Sequence, residues 1–84
     1  MSKPRIIFTR HAQTMMTERG IKEEWITKTI AEPEAAELDP TRSDVRRAFR
    51  TIPENGNRIL RVAYASIGDT VRVVTAFFDR GRRG

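Results

Sequence analysis

The chain has 84 residues, 38% of them hydrophobic and 32% charged, which suits one small folded domain and excludes two separate cores. It contains no cysteine and a single histidine, so a disulfide framework, a thiolate metal site and a cysteine nucleophile are all excluded. A formal charge of +5 favours polyanionic partners, although net charge by itself argues only for non-specific attraction.

The charge is unevenly placed. Residues 1–40 carry six Lys or Arg against seven Asp or Glu, whereas residues 41–84 carry ten against four. Thirteen of the sixteen basic residues are arginine, whose planar fork suits bidentate phosphate recognition; an arginine-rich codon usage would leave the same mark. No apolar run approaches a membrane span and the first residues form no apolar signal segment, so a cytoplasmic protein with no membrane contact is expected. Residues 1–80 read as a single α+β domain, and 81–84 (GRRG) as a basic disordered tail.

In chain order, Arg5 to Phe8 form a short β-rich run. Thr9 is placed to cap a helix that reaches Glu18 or Arg19 and ends on Gly20, with Ala12, Met15, Met16 and Arg19 at helical spacing. Residues 22–32 predict a second helix, with Glu23 and Glu24 near its positive end, Trp25, Ile26, Thr29 and Ile30 inward, and Pro33 as the stop. A weak strand follows at 35–38, then a loop through Asp39, Pro40, Thr41 and Arg42. Three strong strands are expected at 45–52, 58–66 and 70–78, separated by the turn signals Asn55-Gly56 and Gly68-Asp69. The expected fold is α+β: a short N-terminal strand and a two-helix hairpin packed on one face of an antiparallel sheet of about four strands.

Two-residue turns at both signals would fix the register. Phe49, Leu60, Val62, Tyr64, Val71, Val73, Thr75 and Phe77 would then face the helices. The other face would gather Arg46, Arg50, Arg61 and Arg72 among small residues, with Arg50 directly opposite Arg61. Like charges so placed repel and would welcome an anion, unless Glu54 or Asp79 neutralises them or the first turn slips by one residue. Guanidinium forks beside Phe78 and Ile59 would suit the backbone and bases of single-stranded RNA.

His11 is the one side chain of a type that titrates near neutral pH. It is a candidate general acid or base, or a residue that caps and packs the helix start. Metal-ligand spacing, nucleophile elbow and phosphate loop are all missing from the sequence, so no cofactor or metal is expected. What remains is metal-free phosphoryl chemistry, with arginines on the phosphate and a histidine or tyrosine moving the proton.

The segment IIFTRHAQTMMTERGIKEEWI, a proline after the second helix, and then FRTIP, GNRILRVAY and VRVVTAFF resemble a family of small bacterial domains of unknown function grouped with the RelE and ParE toxin superfamily. The resemblance spans nearly the whole chain and implies a RelE-like helix hairpin on an antiparallel sheet. It also implies cleavage of ribosome-associated or free RNA, or gyrase poisoning, and inhibition by a cognate antitoxin. It makes His11 and Arg19 parts of a pattern, but Met15 stands where the family usually has an arginine. The leading expectation is therefore a toxin-like, metal-independent RNA-cleaving or RNA-binding domain: His11 or Tyr64 moves the proton, and Arg19, Arg50, Arg61 and Arg72 bind substrate phosphate. The alternative is a non-catalytic module binding an acidic partner through its basic sheet face.

Overall fold

The structure, a computed structural model, describes residues 5–79; the expected tail at 81–84 lies outside them. Its elements are β1 (Arg5–Phe8), α1 (Arg10–Arg19), α2 (Glu23–Ala31), β2 (Ala35–Leu38), β3 (Arg46–Ile52), a short 3₁₀ turn (Pro53–Asn55), β4 (Arg58–Ile67) and β5 (Thr70–Phe78). The α+β class and the helix pair agree with the sequence. The sheet, however, has five strands in the order β1-β5-β4-β3-β2 and is mixed, because β1 pairs with β5 in parallel. A short isolated run such as RIIF reveals its strand character but not its partner, which here is the far end of the chain. Among the described residues no helix is long and apolar enough to cross a membrane.

Thr9 fixes the passage from strand to helix. Its hydroxyl accepts the Ala12 N–H at 3.1 Å, which caps α1, and donates to the Val74 carbonyl at 3.0 Å, while its own N–H binds the Val73 carbonyl at 3.0 Å. Helix α1 ends on Gly20 in the left-handed conformation, φ 63°, and the Ile21 N–H returns to the Met16 carbonyl at 2.9 Å, the usual helix stop. Helix α2 opens with Glu23 and Glu24 and buries Trp25, Ile26 and Thr29. Thr29 is fully buried, and its hydroxyl is satisfied by the Trp25 carbonyl at 2.7 Å.

The core joins Ala12, Ile26, Leu60, Val62, Val73 and Ala76, all fully buried. Trp25 meets Phe78 edge-on, with centroids 6.2 Å apart. Helix α1 lies over β5 and β1, and α2 over β4 and β3.

The β3–β4 register departs from the expected one. Ile52 faces Arg58, so five residues connect the strands rather than two. Pro53 cannot continue the ladder and instead opens a turn. Gly56 and Asn57 follow with φ of 67° and 60°, and the Asn57 N–H closes the loop on the Ile52 carbonyl at 3.1 Å. A one-residue slip exchanges the two faces of a strand. Arg46, Ala48, Arg50 and Ile52 consequently lie on the helix side, and Phe49 lies on the side free of helices.

The β4–β5 hairpin keeps the expected two-residue turn, with Ile67 opposite Thr70 and Gly68 at φ 59°, as a type II′ turn requires. A bulge then intervenes: Tyr64 pairs with Val73 but Ala63 with Thr75, leaving Val74 as the extra residue. Beyond it Ala76 and Phe78 turn to the helices, and Thr75 and Phe77 to the opposite face.

Candidate functional site

The structure does not gather the six residues singled out from the sequence. The opposed pair Arg50–Arg61 does not exist, since Arg50 faces Leu60 and Arg61 faces Phe49. Arg50 serves the fold: its Nη1 donates to the Glu32 carbonyl at 2.6 Å, placing a cation at the negative end of α2. Next to it, Glu34 Oε1 accepts both the N–H and the hydroxyl of Thr51 at 2.9 Å each. These two bonds, with a smaller contribution from Arg50, hold the Glu34 carboxyl below its ordinary pKa. Together they fasten the α2–β2 connection to β3.

On the helix-free face Arg61 is flanked across the strands by Phe49 and Phe77. Its guanidinium carbon stands 4.9 Å from the Phe77 ring centre, with the Asp79 carboxylate 4.0 Å away. The Arg61 Nε is buried and makes no hydrogen bond. This arginine is therefore sheathed in aromatic surface, with only part of its fork available. Arg72 shares the face but is exposed, lying between Ile7 and Ala65. Arg47, further along, is neutralised by Glu37 at 3.3 Å and Asp39 at 3.4 Å. Asp39 in turn accepts the hydroxyl and N–H of Thr41, at 2.8 Å each, and the Arg42 N–H at 3.1 Å. Those bonds, the Thr41 hydroxyl foremost, lower its pKa to about 2.

His11 is exposed in the first turn of α1 and Arg19 is exposed in the last. Neither makes a hydrogen bond or ion pair with a described residue. Tyr64 packs against the core from the helix side and is half-buried. Among the described residues no three His, Asp or Glu side chains come together as metal ligands would.

Sequence reasoning also misplaced Arg46. In the observed register Arg46 faces Tyr64 directly, and Leu38 faces Arg46 from the next strand. Phe8, Val73, Tyr64, Arg46 and Leu38 thus form one row across the helix side of the sheet. The row runs from the core out to solvent: Val73 is fully buried, while Arg46 is exposed and Leu38 is 61% exposed. Neither the Tyr64 hydroxyl nor the Arg46 guanidinium bonds to another described residue. A phenol and a free guanidinium on neighbouring strands, with Cβ atoms about 5 Å apart, can together grip one phosphate. The sequence signal for this pair was Pro53, which rules out the short turn.

A family model for a domain of unknown function, DUF4258, matches residues 8–78, and the chain belongs to that family. No curated protein and no solved structure matches it.

Proposed function

We propose that the chain is a toxin-like, metal-independent RNA-binding domain of a toxin–antitoxin type system, related in fold to the RelE and ParE group. The observation that carries this reading is the Arg46–Tyr64 pair, a cation without a partner among the described residues, directly opposite a phenol at the rim of the helix-covered face. Arg46 holds a phosphate, and Tyr64 donates to the same phosphate or to the sugar beside it. Binding is better supported than cleavage. General acid–base cleavage needs a side chain positioned to move the proton, and no hydrogen bond links His11 to Tyr64 or Arg46.

The test is titration of labelled single-stranded RNA with the purified chain in the presence of a metal chelator, alongside Arg46→Ala and Tyr64→Phe. The expected result is salt-sensitive binding, with the salt slope reduced by about one in Arg46→Ala. Equal binding by wild type and both variants would refute the assignment. The same samples, followed for RNA fragments, decide between binding alone and cleavage.

A second reading rests on the helix-free face. Arg5 and Arg72 are exposed there without ion pairs to described residues, beside Ile7, which is 44% exposed. Cations around an exposed aliphatic suit an acidic protein partner such as an antitoxin segment.

A further inference from the structure

The strand β2 closes one side of the sheet, and no described residue covers its outer edge. The Asp39 N–H binds the Val45 carbonyl at 2.9 Å in the same register that pairs Glu37 with Arg47 and Ala35 with Phe49. By antiparallel alternation, the N–H and C=O groups of Ala36 and Leu38 therefore point away from the sheet, and no described residue takes them. Natural edge strands are commonly protected by proline, lysine, a covering loop or an outward charge. Here the sequence is Ala-Ala-Glu-Leu, and its one charge, Glu37, is turned to Arg47 of the neighbouring strand at 3.3 Å. On the helix side of the same strand Leu38 is 61% exposed, one of three large apolar side chains left in solvent among the described residues. The edge formed by β1 differs, because its Phe8 carbonyl already accepts the Gln13 side chain at 3.0 Å.

We propose that the β2 edge pairs with the β2 edge of a second copy of this chain, antiparallel, about a two-fold axis passing beside Glu37. Each Ala36 then exchanges both of its outward hydrogen bonds with Leu38 of the other copy. On the helix side the pairing is self-complementary, since a small residue meets a large one at both positions and each leucine covers the alanine opposite. On the other side the two Glu37 carboxylates meet at the axis, each 3.3 Å from its own Arg47, which Asp39 shares at 3.4 Å, so that side opposes the pairing and the helix side drives it. The small-for-large match selects a second copy over a foreign strand, which must supply its own complement to the Leu38 and Ala36 alternation.

Four residues per strand bury well under the roughly 1,000 Å² of a strong interface, so the association is weak, with an expected dissociation constant between about 10 μM and 1 mM. Pairing would continue the sheet through both copies and place two Arg46–Tyr64 pairs on the same side. The two β3 strands would lie three inter-strand spacings apart, about 14 Å.

The test is sedimentation equilibrium of the full chain from about 10 μM to about 1 mM, a range that spans the expected dissociation constant. The expected result is a rise from the monomer mass of 9.7 kDa toward twice that value, with Ala36→Pro and Leu38→Lys remaining monomeric at the top of the range. The Ala36 N–H points outward, so proline there leaves the β2–β3 ladder whole, and an unchanged circular dichroism spectrum verifies the fold. In the wild type, amide exchange at Ala36 and Leu38 slows as concentration rises. A chain that stays monomeric throughout overturns the proposal. So does a dimer that persists in both variants, which would place the contact elsewhere. Neither outcome depends on RNA binding.

Discussion

Replacing Thr9 with alanine removes two interactions that together set where α1 begins. The hydroxyl accepts the Ala12 N–H at 3.1 Å and donates to the Val74 carbonyl at 3.0 Å. Loss of an N-cap costs about 1 kcal/mol, and loss of a second, part-buried hydrogen bond costs about another 1 kcal/mol. A domain of this size loses roughly 4–8 °C of melting temperature per kcal/mol, so Thr9→Ala should melt about 8–16 °C lower. Thr9→Ser retains both bonds and should recover most of the loss. Thermal unfolding followed by circular dichroism measures the shift, and amide exchange in the first turn of α1 localises it. If Thr9→Ala melts within about 2 °C of wild type while Thr9→Ser does the same, the shared cap contributes nothing and the reasoning fails.

Leu60 is fully buried, and Leu60→Ala should cost about 2–5 kcal/mol in denaturant titrations, whereas Arg72→Ala on the exposed face should change stability by less than about 0.5 kcal/mol. Gly68 stands at φ 59° with open space around it, so alanine there meets only backbone strain; Gly68→Ala should destabilise by about 1 kcal/mol and Gly68→Asn by less. Glu34 and Asp39 both have lowered folded-state pKa values, Asp39 to about 2. A depressed carboxyl contributes stability that is present above its unfolded pKa near 4 and is lost as pH falls through the folded value. Stability should therefore be flat above about pH 5 and decline below about pH 4, and the Thr41 and Arg42 amide resonances should move with a midpoint near 2 that vanishes in Asp39→Asn.

Much of the fold was legible because its signals are local. Thr9, Gly20 and Pro33 punctuate the helices by capping, left-handed backbone and a missing donor, and the strand limits at β4 and β5 follow β-branched runs. The sheet faces were less legible, because they depend on counting through loops. Gly68-Asp69 makes its two-residue turn, so Leu60, Val62, Tyr64, Val71 and Val73 were placed correctly against the helices. The Asn55-Gly56 signal misleads, because Pro53 begins its own turn two residues earlier. That single residue of slip moved Arg46 and Arg50 to the helix side and put Phe49 in place of Arg50 opposite Arg61, while the bulge at Val74 brought Phe77 to its other side. The bulge at Val74 was beyond reach for another reason: it is tied to Thr9, some 65 residues away in sequence, and no local pattern encodes it.

The loop from Pro53 to Asn57 also works as a parity element. Adding or removing one residue there would turn β3 over relative to β4, carrying Phe49 into the helix layer and Ile52 and Ala48 out of it, and parting Arg46 from Tyr64. A change of two residues would leave every side chain on its own face. Length variation at this loop in functional relatives should therefore come in even steps, although an exposed hairpin loop would ordinarily accept any length.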